Sequence, residues 1–163
     1  MKVVLNDRKY LNEFSELNNE WIKKYFELEE SDLELTKNPG KIIEEGGYIF
    51  TIVVNKEAAG VCALFNKGNG KYEIARMAVK PSYQGKGYGK KLLSLCLEKL
   101  RELSAKNIYL VSNTILEPAI NMYKSFGFIT THLGQHPEYK RANIIMEYPI
   151  DNFVIRADCK KSK

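Results

Sequence analysis

The sequence predicts a mixed α/β fold, a mostly antiparallel sheet flanked by helices, and three observations carry that expectation. Apolar and β-branched runs follow one another closely between residues 48 and 79, as "YIFTIVV", "AGVCALF" and "YEIARMAV", with short polar turns between them. Apolar residues at helical spacing precede and follow this meander. The second half then alternates strand-like and helix-like segments, the pattern of a crossover connection.

Each element has its own signal. "KVVL" reads as a first strand, ended by Asn6 and Asp7, two helix-capping residue types. Tyr10, Phe14, Leu17, Trp21 and Tyr25 recur every three or four residues and predict an amphipathic helix over about 8–25. The acidic stretch "ELEESDLELTKNPGKIIEEGG" is broken at Asn38-Pro39-Gly40 and reads as a loop with one or two short helical pieces. In the meander "NKEA" and "NKGNGK" are the turns, and Pro81, lacking an N–H for the ladder, ends the third strand. Leu92, Leu93, Cys96, Leu97, Leu100 and Leu103 form a helical stripe running from Gly89 to about Ser104. "NIYLVSN" is a strand, and "EPAINMYKSF" is a helix with Pro118 in its first turn and Gly127 as its C-terminal cap. "FITT" and "ANIIMEY" are the last strands. The expected organisation is one domain over residues 1–150 and a tail over 151–163 without a clear pattern.

Composition narrows the function only broadly. The chain has 163 residues, a net charge of +5 and 44% hydrophobic residues, ordinary for a globular domain and suited to an anionic ligand. A pI near 9.0 suits nucleic acid too, but the basic residues are scattered and no helix-turn-helix, finger or aromatic-basic RNA motif is present. Cys62, Cys96 and Cys159 show neither CxxC nor metal-ligand spacing, so no metal is expected, and they read as buried or stray thiols of a reducing compartment. No apolar run reaches membrane-span or signal-peptide length, so the expectation is a cytoplasmic protein with no membrane partner.

The chemistry concentrates in "SYQGKGYGKKLL", residues 82–93. Glycines at 85, 87 and 89 before a helix read as a phosphate cradle, because small residues let backbone N–H groups face an anion and the helix adds the positive end of its dipole; a plain tight turn is the alternative. The spacing fails both G-x-x-x-x-G-K-[ST] and G-x-G-x-x-G, which excludes the two common nucleotide loops. Lys86, Lys90 and Lys91 would neutralise phosphate charge, or else form a solvated helix face.

Gln84-x-x-Gly87-x-Gly89 after the strand "MAV", together with "AINMYKSFGF" at 119–128, resembles the GNAT superfamily of acyl-CoA N-acyltransferases. The resemblance spans about residues 45–148. It implies acetyl-CoA as acyl donor and a primary amine, on a small molecule or a peptide, as acceptor, in a monomer or homodimer. It places the backbone of Met77, Ala78 and Val79 against the pantetheine arm, as an added strand would pair. It places Gln84, Gly85, Lys86, Gly87, Tyr88, Gly89 and Lys90 around the pyrophosphate, and Asn113 beside the pantetheine, where a strand-end or helix-cap asparagine is the alternative. It makes Tyr123 the acid for the departing thiolate, where a core-edge tyrosine of an amphipathic helix is the alternative, and Glu73 the base, acting through water or with a raised pKa. Glu73 as a solvent-facing strand residue is the alternative, and a β-bulge in this strand would change which face it takes. Arg76 would pair with Glu73 across such a bulge, bind substrate or sit in solvent.

The acceptor side carries weaker signals. Glu27, Glu29, Glu30, Asp32 and Glu34 would attract a cationic amine, or else form a solvated acidic helix start. Arg141 in "HPEYKRAN" would bind a carboxylate or lie on a hairpin surface. His132 and His136 read as solvated loop residues. A non-catalytic acyl-CoA-binding or sensing module is the rival function, since it would keep the cradle and lose the chemistry.

Overall fold

The computed structural model describes residues 1–154. The strands among them are β1 (Lys2–Leu5), β2 (Tyr48–Val54), β3 (Glu57–Gly68), β4 (Lys71–Val79), β5 (Asn107–Ser112), β6 (Ile129–Leu133) and β7 (Ile144–Glu147). They form one sheet in the order β1-β2-β3-β4-β5-β7-β6. The pairs β1–β2, β2–β3, β5–β7 and β6–β7 are antiparallel. The helices are α1 (Leu11–Tyr25), α2 (Glu30–Lys37), α3 (Lys41–Glu44), α4 (Tyr88–Glu102) and α5 (Glu117–Phe126). The chain divides into two compact units, Met1–Asn66 with Ile74–Glu98, and Lys67–Glu73 with the chain from Lys99 onward. β4 and α4 therefore each contribute residues to both.

In the first unit, β2 and β3 read as unbroken apolar runs because both of their faces are covered. Ile49, Val53, Val61 and Ala63 pack with Tyr10, Phe14, Leu17 and Ile42 in one cluster, which joins the sheet to α1 and α3. Ile52, Cys62 and Leu64 take the opposite parity and are fully buried, as are Leu92, Leu93 and Cys96 of α4. Gly60 lets α4 approach this face: a Cβ there would lie 3.2 Å from Leu92 Cδ1.

Two turns are tighter than the sequence suggests. β2 and β3 are joined by Asn55-Lys56 alone, with φ of 51° and 65°, and Val54 pairs directly with Glu57. Asn69-Gly70, with φ of 54° and 78°, joins β3 to β4. Positive φ at both central residues is the type I′ geometry that matches strand twist, so the strands run on through residues expected to be loop. The expected helix over 8–25 is instead a 3₁₀ turn at Arg8–Tyr10 followed by α1. Asp7 caps that turn by accepting from the Lys9 N–H at 3.1 Å. Asn6 has φ 55° and ties β1 to β2, its Oδ1 accepting from the Ile49 N–H at 2.8 Å.

The second unit holds β5, β6, β7 and α5 around Ile108, Leu110, Ile120, Phe128, Ile144, Met146 and Tyr148. The Phe128 ring meets Tyr148 edge-on at 5.3 Å and Tyr123 at 6.0 Å. Gly127 closes α5 at φ 104°, the left-handed cap its sequence position predicts. The expected patternless tail begins with a helical turn at residues 151–154, and the remainder of the tail, with Cys159, lies outside the described residues.

Candidate active site

The glycine loop has a conformational cause. β4 ends at Val79; Lys80, extended at φ −57° and ψ 135° as a residue before proline must be, leads into a 3₁₀ turn at Pro81–Tyr83. Gly85 and Gly87 then adopt φ of 78° and 81°, and a Cβ at either position would meet nothing within 4 Å. Backbone sign, and not crowding, is what requires glycine here. The first turn of α4 follows, with the Lys91 N–H donating to the Gly87 carbonyl at 3.0 Å. The N–H groups of Tyr88, Gly89 and Lys90 precede that bond and belong to the helix end that has no intrahelical acceptors. The Gln84 side chain folds back, its Nε2 donating to the Val79 carbonyl at 3.1 Å. Gln84 thus fastens the loop to the end of the strand.

A second fastening was not visible in the sequence. The Glu57 carboxylate at the β2–β3 turn accepts from Lys80 Nζ at 2.7 Å and from the Tyr83 hydroxyl at 2.9 Å. Those two hydrogen bonds hold the Glu57 carboxyl below the usual range, and the same carboxylate pushes the Lys80 ammonium and the Tyr83 phenol up. Lys86 Nζ stands 5.3 Å from the centre of the Tyr83 ring, a cation–π contact within the loop.

Arg76 does not pair with Glu73. It is the one residue of β4 with a left-handed backbone, φ 57°, and its Nη1 bonds Asp32 Oδ1 on α2. Asp32 is correspondingly buried and not a solvated acid. Its other oxygen accepts the Glu29 N–H at 2.8 Å, completing a capping box that starts α2. Glu27, Glu30 and Glu34 stay exposed. The left-handed residue breaks the period-two alternation of β4, where Glu73 and Ile74 are buried in succession.

In the second unit, Glu73 is 7% exposed, which removes the solvent-facing reading. Its Oε1 accepts from the Tyr109 hydroxyl at 3.2 Å and lies 3.7 Å from Lys67 Nζ. Burial first, and then the charge of Glu73, pushes the Tyr109 phenol well above its ordinary range. Tyr123 sits half-buried on α5 with its ring against Phe128. Asn113 closes a turn after β5, before α5: Oδ1 accepts the Ile115 N–H at 3.0 Å and Nδ2 donates to the Arg141 carbonyl at 2.9 Å. The Arg141 guanidinium lies 5.9 Å from the Tyr139 ring centre. His136 is not merely solvated, since its Nδ1 accepts the N–H groups of Glu138 and Tyr139 at 3.0 and 3.2 Å. Among the described residues, no cluster of three His, Cys, Asp or Glu side chains forms a metal site, and no helix is long and apolar enough to cross a membrane.

Sequence reasoning passed over Tyr109, Lys67, Glu57 and Tyr83. Their partners lie on other elements of the chain, and only the spacing from Glu29 to Asp32, a capping-box interval, left a readable trace.

A strand, a left-handed glycine loop and a helix in this order, inside a mostly antiparallel sheet with flanking helices, form the framework of one known family. The Acetyltransferase (GNAT) family profile matches residues 12–128, and the chain belongs to that family. It is 34% identical over 101 residues to the uncharacterized N-acetyltransferase YvbK of Bacillus subtilis, a match covering 60% of this chain and 65% of that protein. The chain thus spans less than two thirds of that relative's length. Solved structures share the fold. A GNAT-family acetyltransferase from Staphylococcus aureus superposes with a TM-score of 0.80 at 20% identity, covering 91% of this chain and 98% of the other. The yncA protein of Salmonella typhimurium, solved with acetyl-CoA, gives 0.71 at 18% identity over 93% and 94%.

Proposed function

We propose that this protein is an acyl-CoA-dependent N-acetyltransferase, with residues 1–150 acting as one catalytic domain that moves an acetyl group from acetyl-CoA to a primary amine by direct attack. The observation that carries the reading is the loop at 84–89: two glycines held at positive φ and a glutamine clamped to the end of β4 open a helix directly after that strand. Backbone N–H groups so placed take a pyrophosphate through the helix dipole and short hydrogen bonds. Lys86 and Lys90 supply neutralising charge. The main chain of Met77, Ala78 and Val79 pairs with the amides of the pantetheine arm.

Three needs define the reaction. An alkylammonium with its usual pKa costs about 4.6 kcal/mol to deprotonate at neutral pH, and Glu73, buried and ionisable, takes that proton directly or through water. The neutral nitrogen attacks the thioester carbon and forms the C–N bond. A main-chain N–H of β4 stabilises the oxyanion. As the C–S bond breaks, the Tyr123 phenol protonates the CoA thiolate, a transfer that is uphill between an ordinary phenol and an ordinary thiol and is eased where the thiolate is poorly solvated; the phenolate then takes the second proton from the acylated nitrogen. Asn113 keeps a place beside the pantetheine arm in this reading, with its carboxamide already bridging two chain segments.

The exposed acids Glu27, Glu30 and Glu34 favour an acceptor that is itself cationic. The test is release of free CoA from acetyl-CoA across a panel of polyamines, aminoglycosides, amino acids and peptides. Amine-dependent CoA release with a matching acetylated product supports the reading. Tight CoA binding with no product from any amine would make the chain a binding module.

A further inference from the structure

Glu73 is held by side chains from two neighbouring strands, and this support has its own consequence. We propose that Tyr109 is a positioning residue for Glu73: together with Lys67 it grips Oε1 of the carboxylate, fixing its orientation and lowering the pH at which it becomes an effective base. The inference rests on Glu73 serving as the base proposed above.

The geometry is specific. Tyr109 stands on β5 with its backbone opposite Glu147 of β7, so the strand that carries it is paired and cannot drift. The N–H groups of Lys106 and Asn107 both donate to the Gly70 carbonyl, at 2.8 and 3.2 Å, which fastens the start of β5 to the turn before β4. The phenol reaches Glu73 Oε1 at 3.2 Å, and Lys67 Nζ from β3 stands 3.7 Å from the same oxygen. Lys71 Nζ lies 4.9 Å from the centre of the Tyr109 ring and covers it. Glu138 and Tyr139, in the segment before β7, add like charge that opposes ionisation of the phenol. Because burial and the Glu73 charge push the phenol up, it remains a proton donor throughout the working range.

The electrostatic consequence has a definite sign. Burial favours the protonated, neutral form of a carboxyl group. A donor hydrogen bond and an ammonium favour the ionised form. Tyr109 and Lys67 thus counter the burial of Glu73 and keep the carboxylate ionised, ready to accept a proton. Removing either raises the pH needed to ionise it. The rate then falls on the acid side and recovers at higher pH, which a merely structural role would not produce.

The test is kcat/KM for the amine against pH on the full chain, with near-ultraviolet circular dichroism as the folding control. Tyr109→Phe shifts the acid limb upward by about one pH unit, leaving KM for acetyl-CoA within about twofold. Lys67→Met, at a partly exposed position with little folding risk, shifts it the same way, and Lys67→Arg restores it. An unmoved limb in Lys67→Met, or in a folded Tyr109→Phe, overturns the proposal. Glu73→Gln separates the two levels. Loss of rate and of the acid limb in that variant, with no shift in the others, leaves Glu73 as base and removes only the positioning role. Full activity in Glu73→Gln removes both.

Discussion

The Arg76 guanidinium on β4 and the Asp32 carboxylate on α2 form a buried ion pair, with side chains 12% and 0% exposed. The pair joins elements 44 residues apart in sequence. It also explains why an arginine tolerates a left-handed backbone in mid-strand, since that turn of the chain carries the side chain to the carboxylate.

Breaking one side of this pair leaves a charge buried without its partner, which costs about 3–5 kcal/mol. Arg76→Met should therefore lower stability by that order in urea unfolding. Asp32→Asn should cost less than Asp32→Ala, because the amide oxygen can still accept the Glu29 N–H of the capping box. The double variant Asp32→Asn with Arg76→Met should lose less than the sum of the single changes, as coupled neighbours do. Additive losses would show that the two residues act separately.

Periodicity and turn chemistry revealed most of the fold, because hydrophobic alternation and glycine position are local signals. "YIFTIVV" became β2 and "EPAINMYKSF" became α5 residue for residue. The misjudged boundaries lie where tertiary pairing extends a local preference: β3 runs on to Gly68 through a polar stretch because the two-residue Asn69-Gly70 turn needs no more chain. The site was legible only in part. The glycine loop announces itself through its spacing, whereas the support of Glu73 comes from Lys67 on one strand and Tyr109 on another. The sequence also could not say that Asp32, one acid among five in its segment, is the buried one, since burial follows from the Arg76 side chain and not from its own neighbours.

Gly85 and Gly87 are glycines for the sign of φ alone, with open space where a Cβ would stand. Alanine at either position should therefore add only the strain of the left-handed conformation, about 1–2 kcal/mol, without a clash. The loop can escape that strain by changing its backbone, which would turn the N–H groups away from the pyrophosphate that the proposed function places there. Gly87→Ala should raise KM for acetyl-CoA at least tenfold, about the loss of one strong hydrogen bond, while the melting temperature moves little. Gly87→Asn should be milder, because asparagine visits the left-handed region more readily. Equal damage from both would point to crowding by the ligand and not to backbone conformation.

Tyr123 offers a sharper kinetic separation. Its ring packs on Phe128, and Tyr123→Phe retains that contact while removing the hydroxyl. In the mechanism proposed above the hydroxyl acts only as the thiolate departs, so kcat should fall by roughly 10²–10⁴ with KM for acetyl-CoA nearly constant. A thioester analogue with a leaving thiol of lower pKa should recover part of the rate, since such a thiolate needs no proton. Unchanged turnover in Tyr123→Phe would remove this residue from the mechanism.

The last prediction concerns Cys62 of β3 and Cys96 of α4, both buried and free. Burial first, and then the neighbouring Cys62 thiol, pushes Cys96 well above the ordinary 9.0. A thiol whose folded pKa is raised contributes stability that is complete below its unfolded value and is lost as pH rises above it, because only the unfolded chain can release the proton. Stability should therefore begin to fall above about pH 9, before Tyr109 or Tyr83, with ordinary values of 10.0, start to contribute in the same direction. Cys96→Ala lowers stability at neutral pH by its small cavity but should flatten the slope between about pH 9 and 10. In a Cys159→Ser background, iodoacetamide at about pH 8 should leave the native protein unlabelled and modify both remaining thiols once urea unfolds it, since the reagent needs an accessible thiolate. Labelling of the native form at a rate independent of urea would mean that the α4–β3 contact opens far more often than so close a packing allows.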